Sequence, residues 1–160
     1  MEAALTVKRR ATAGFSLIEL LIGVAIIGVM AAMAIPMTST AMKSYRLTAA
    51  IGAATGAIQS SRYQAIMNGY PYQLTLTPST LSYTVLCEPP GSATYVNLVP
   101  PVSNVPIARL GDVTINQTVT FTFLANGTIS GSPGMTFTLS NGIVTEQIQV
   151  SGVGNVSVTP

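Results

Sequence analysis

Three hydrophobic patterns follow one another along the chain. From Phe15 to Ile35 the sequence FSLIELLIGVAIIGVMAAMAI is almost wholly apolar over about 21 residues. As a helix, such a run is roughly 30 Å long, enough to cross the hydrocarbon core of a bilayer. After Pro36 the pattern changes to a helical stripe. Leu47, Ile51, Ala54, Ile58 and Ala65 recur at spacings of three, four or seven, which places them on one face. Lys43, Arg46 and Arg62 are left for the wetter side. Asn68-Gly69 with Pro71 just beyond reads as the stop of this helix. One helix from about residue 15 to about residue 68 is therefore predicted, roughly 80 Å long by its rise per residue.

From Tyr72 the period becomes two. Gln73 to Thr77 alternates, and Leu81 to Leu86 reads as its partner across a turn at Pro78-Ser79. Val119, Phe121 and Phe123 alternate with threonines, as do Met135, Phe137 and Leu139 with Thr136, Thr138 and Ser140. Val144, Ile148 and Val150 share a face, and Val156 and Val158 follow. Asn126-Gly127 and Asn141-Gly142 fall between these runs and are strong hairpin signals. The expected fold class is α+β, with an antiparallel sheet enclosing the second half of the helix. Residues 88–106 hold five prolines and are expected to form a loop or a sheet edge.

One residue interrupts the N-terminal apolar run. Glu19 carries a carboxylate into the second turn of a helix begun at Phe15, where membrane burial costs on the order of 3 kcal/mol. No basic residue lies within the run to pair with it. A cut between Gly14 and Phe15 would create an α-amino group four residues before Glu19. Amine and carboxylate one turn apart, or on neighbouring subunits, would neutralise each other in a low dielectric. Lys8, Arg9 and Arg10 precede the run and favour a cytoplasmic N-terminus with the rest of the chain outside. Two plainer alternatives stand beside this reading. Ala32-Met33-Ala34 offers a site for an ordinary secretory signal cut, and the run also suits an uncleaved anchor.

Composition narrows the chemistry. Charged residues make up 8% and there is no histidine, while the mean hydropathy is +0.52. Beyond Arg10 there remain four basic and four acidic side chains, so no basic patch for a nucleic-acid partner is visible. Without histidine, Ser-His-Asp, Cys-His and His-metal arrangements are excluded. Glu88, Asp112 and Glu146 are far apart in sequence and read as turn or surface residues. No catalytic residue, cofactor site or metal site is expected. Cys87 is the sole cysteine and reads as a small buried hydrophobe, with a reactive thiol as the alternative.

The order Lys-Arg-Arg…Gly14, Phe15-Ser16-Leu17-Ile18-Glu19-Leu20-Leu21 resembles the class III signal of type IV prepilins and type II secretion pseudopilins. That resemblance implies cleavage after Gly14 by a prepilin peptidase, N-methylation of Phe15, and a role for Glu19 in setting axial register against a neighbour's amine. It also implies retention of the hydrophobic segment, as membrane anchor and then as filament core. Gly28 and Pro36 bracket a weak stretch of that helix, which resemblance to pilins suggests kinks or melts on assembly. Four segments follow: a leader at 1–14, a hydrophobic helix at 15–36, its second half at 37–69, and a β head at 70–160.

The rest of the chain is similar to the GspH/FimT domain. The resemblance rests on Gln59 to Ile66, on Phe121-Thr122-Phe123-Leu124-Ala125-Asn126-Gly127-Thr128-Ile129, and on Ile148 to Val156. It implies a non-enzymatic minor pilin or pseudopilin at the initiating tip of a type IV pilus or type II secretion pseudopilus. Implied partners are prepilin peptidase, other pilin or pseudopilin subunits and inner membrane lipid, with a secreted substrate as a further candidate. The implied location is the bacterial inner membrane, single-pass with a periplasmic head, then the filament. The alternatives are a major pilin of the shaft and a tip subunit binding ligand or DNA. Some family members associated with DNA uptake carry arginines in the C-terminal segment. Here Gly152 to Val158 holds no Arg or Lys, a departure that argues against DNA.

Overall fold

The structure, a computed structural model, describes residues 14–108, 111–131 and 134–160, without the side chains of residues 35 and 36. Lys8, Arg9, Arg10 and the rest of the leader before Gly14 lie outside the described residues, as does the Pro36 ring. The chain divides into two units, with the boundary between Ser39 and Thr40.

In the first unit, α1 (Leu17–Asn68) begins. The Ser16 carbonyl accepts the first helical bonds, from the N–H of Glu19 at 3.1 Å and of Leu20 at 3.2 Å. Since the helix starts at Leu17 and not at Phe15, Glu19 occupies its first turn, not the second. The backbone remains helical through Gly28 and Pro36. The weak stretch is thus unbroken in the single chain.

In the second unit, the remainder of α1 buries Leu47, Ala50, Ile51, Ala54, Ala57, Ile58 and Ala65, the face that the sequence spacing marks. The helix stops as expected. Gly69 takes a positive φ of 73°, its N–H bonds to the Ala65 carbonyl at 3.0 Å, and Pro71 cannot continue the ladder.

The strands form two four-stranded sheets, where the sequence led us to expect one. The first has the order β3-β2-β1-β5, from β1 (Tyr72–Thr77), β2 (Ser82–Cys87), β3 (Val96–Pro106) and β5 (Val119–Phe123). The second has the order β4-β6-β7-β8, from β4 (Thr114–Ile115), β6 (Gly134–Ser140), β7 (Thr145–Ser151) and β8 (Val156–Thr159). Every ladder is antiparallel. Leu74 faces Phe121 across one ladder, and Phe137 faces Ile148 across another. The apolar positions of both sheets join the helix stripe in one core, where Phe121 lies 6.2 Å from Phe123 and 6.1 Å from Phe137 between ring centres.

Several local expectations are corrected. Asn126-Gly127 makes a tight turn, but β5 and β6 lie in different sheets. The return strand is one bridge long, Phe123 to Ile129. The Ile129 N–H then bonds to Gly152 O at 2.9 Å, which ties the first sheet to the β7–β8 turn. The proline-rich stretch, by contrast, is as expected partly a sheet edge: β3 begins at Val96 and is the outer strand, where missing N–H groups are tolerated. Leu81 sits in the turn before β2, with φ at 46°. Cys87 is buried and free.

Candidate functional site

Gly14, Phe15 and Ser16 precede the helix in irregular backbone. Nothing lies within 4 Å of where a Gly14 side chain would start, and Phe15 is 85% exposed. A peptide bond in exposed, non-helical chain is one a protease can bind in extended form. The sequence-predicted cleavage pair therefore lies where cutting is sterically open.

Glu19 lies at the helix N-terminus, where the unpaired N–H groups favour a carboxylate by about 0.3–1 kcal/mol. Among the described residues no ion pair involves it; the ion pair found there joins Arg46 and Asp112 at 2.7 Å. Around and beyond Glu19, thirteen large apolar side chains from Phe15 to Met37 are exposed. They occupy every side of the helix rather than one face, the pattern of a segment that is buried in another environment. An 18-residue window has a mean hydropathy of 2.5, with none of it buried by the protein itself. At about 1.5–3 kcal/mol for each side chain removed from water, the gain from covering this helix far exceeds the cost of about 3 kcal/mol for carrying Glu19 along. One carboxylate does not keep the segment out of an apolar environment. It does make a partner for that carboxylate valuable.

In the head, two cations are fixed by tertiary contacts. Arg46 pairs with Asp112, both partly exposed, a contact of about 1 kcal/mol or less. Arg62, expected on the wetter side, instead lies half-buried and donates from Nε to Gly127 O at 3.0 Å. A Cβ on Gly154 would stand 2.7 Å from Arg62 Cδ and Nε, so Arg62 is enclosed between two turns. No signal in the sequence marks this, because its partner is 65 residues away. Among the described residues, no cluster of three His, Cys, Asp or Glu side chains is brought together.

Residues 9–35 match the prokaryotic N-terminal methylation motif. Residues 50–154, well over half of the chain, match the family described as type II transport protein GspH. The chain belongs to the GspH family. No curated protein matches it. Among solved structures, the type IV minor pilin FimU of Pseudomonas aeruginosa aligns at a TM-score of 0.56 and 15% identity, over 74% of this chain and 91% of that one. A second crystal form of FimU gives 0.46 and 17%, over 71% and 91%. At the identity of the first alignment the likeness establishes the fold. As a GspH-family chain with a methylation motif, the protein is a minor pilin or pseudopilin, a structural subunit that assembles with other pilin-like chains and is processed by prepilin peptidase. Its N-terminal helix is long and apolar enough to serve as a membrane anchor.

Proposed function

We propose that the protein is a non-catalytic subunit of the initiating tip of a type II secretion pseudopilus or type IV pilus. Prepilin peptidase cuts the Gly14–Phe15 bond at the cytoplasmic face and methylates the new Phe15 amine. The subunit waits in the inner membrane with its head in the periplasm, its apolar helix covered by lipid. On assembly, Glu19 meets a neighbour's N-terminal amine, and this charge pair fixes the axial offset between subunits. Gly28 and Pro36 supply a stretch that yields as the helices pack. A secreted substrate is a further partner for the head.

One observation carries this reading: a helix apolar on every side has its carboxylate in the first turn, directly behind an exposed, non-helical Gly-Phe bond. The chain is expected to be recovered with its partner subunits from sheared filaments or enriched pseudopili. Glu19→Ala should keep membrane insertion and processing while recovery in the assembly falls by at least tenfold. Unchanged recovery of Glu19→Ala would refute the register role. Recovery as the bulk component of sheared filaments would make the chain a shaft pilin instead.

A further inference from the structure

Beside the C-terminal end of α1, a cavity of about 470 Å³ opens against the start of β3, within the range of about 300–1,000 Å³ typical of small-molecule sites. Asn68, Tyr70, Tyr72, Cys87, Asn97 and Leu98 are among its walls. Tyr70 stacks on Tyr72 at 5.4 Å and 17°; Tyr72 is buried, so the half-buried Tyr70 is the ring that can offer a face to a ligand. Their hydroxyls form a relay: Asn68 Nδ2 donates to Tyr72 Oη at 2.8 Å, and Tyr72 donates on to Tyr70 Oη at 3.5 Å. Tyr70 therefore keeps its own hydroxyl hydrogen for another acceptor. Asn97 accepts the Ser103 hydroxyl on Oδ1 at 3.4 Å, which leaves its amide N–H groups for a ligand. No charged side chain lines the cavity.

We propose that this cavity binds a neutral saccharide unit. Aromatic faces suit the C–H surfaces of a sugar ring, and tyrosine hydroxyls and asparagine amides suit its hydroxyls. The uncharged lining selects against acidic and basic ligands, which would be desolvated here without a counter-charge. Burial raises the Tyr72 pKa above the ordinary tyrosine range, followed by its contact with Tyr70, so the relay stays protonated at physiological pH. A peptide ligand is disfavoured by the neighbouring edge: adding a strand to β3 requires backbone donors, and Pro100 and Pro101 supply none.

Saturation-transfer NMR on the full chain, held in a detergent without a sugar headgroup, tests this. The probes are lactose, maltotriose, mannotriose and chitotriose as neutral sugars, sialyllactose and digalacturonate as acidic ones, and a neutral proline-rich decapeptide. The expected result is transfer to at least one neutral sugar and none to the peptide. That signal should fall at least fivefold in Tyr70→Ala and in Asn97→Ala. Tyr70→Phe keeps the aromatic stack, removes the free hydroxyl, and should weaken binding without loss of fold. Transfer to no neutral sugar, transfer to acidic sugars or peptide alone, or a signal indifferent to both Tyr70→Phe and Asn97→Ala would overturn the proposal. None of these outcomes bears on processing at Gly14 or on Glu19.

Discussion

The turn at Gly154 leaves no room for a side chain, and Gly154→Ala isolates the reason. Gly154 has φ at +80°, a conformation that costs an L-residue roughly 1–2 kcal/mol. Its new Cβ would also stand 2.8 Å from the Gly127 carbonyl oxygen and 2.7 Å from Arg62. Backbone cannot yield cheaply, so Arg62 must leave. Its departure breaks the 3.0 Å bond to Gly127 O, a charged hydrogen bond of about 1.5–3 kcal/mol. The expected destabilisation is about 3–5 kcal/mol, a large part of a stability of about 5–15 kcal/mol. Arg62→Ala alone should cost about 1–3 kcal/mol, because the carbonyl of the buried Gly127 loses its donor.

The two changes should not add. With Arg62 already truncated, Gly154→Ala retains the backbone penalty and the Gly127 contact, so the double variant should be more stable than the sum predicts by about 1–2 kcal/mol. Urea unfolding of the full chain in detergent reads this through the near-ultraviolet signal of its six tyrosines, since there is no tryptophan. At about 1–3 kcal/mol per molar urea, the midpoint of Gly154→Ala should fall by at least 1 M. A shift under 0.3 M, or full additivity with Arg62→Ala, would refute the enclosure of Arg62 between the turns.

Two further predictions concern the same unit. Gly56 lies in the helix with nothing within 4 Å of an added Cβ, so Gly56→Ala should stabilise the chain by about 0.5–1 kcal/mol; a loss of stability in the same urea assay would show a contact the single chain lacks. Tyr72 and Tyr95 have pKa values raised chiefly by burial. Each therefore contributes stability that is complete below the unfolded tyrosine value of about 10 and is lost as the pH rises beyond it. Alkaline unfolding followed by circular dichroism should show Tyr72→Phe losing less stability than the parent above that pH, and an equal loss would contradict the assignment.

What was legible in the sequence follows from which interactions are local. The helix stripe from Leu47 to Ala65 and the stop at Asn68-Gly69 depend on neighbours a few residues away, and both are found where the spacing puts them. The period-two runs likewise mark Phe121, Phe137 and Ile148 as inward-facing. Alternation gives a strand its faces but does not choose its partner. Hence the division into two sheets, with β5 beside β1 rather than β6, was not legible. β4 is two residues long, too short to show a period. The N-terminal methylation motif was readable because its residues lie close together in the chain, within 9–35. The place of Arg62 was not, because both turns around it arrive from the far end of the chain. The tyrosine cavity likewise needs the helix end and β3 brought together.

The central claim is that the chain is a prepilin-type precursor cut between Gly14 and Phe15, and intact mass with N-terminal sequencing of the mature protein from its native membrane tests it most directly. The account predicts a chain that begins at Phe15 and is heavier by one methyl group. A mature chain that begins after Ala34, or one that still carries Met1, would contradict it and leave Glu19 without its partner.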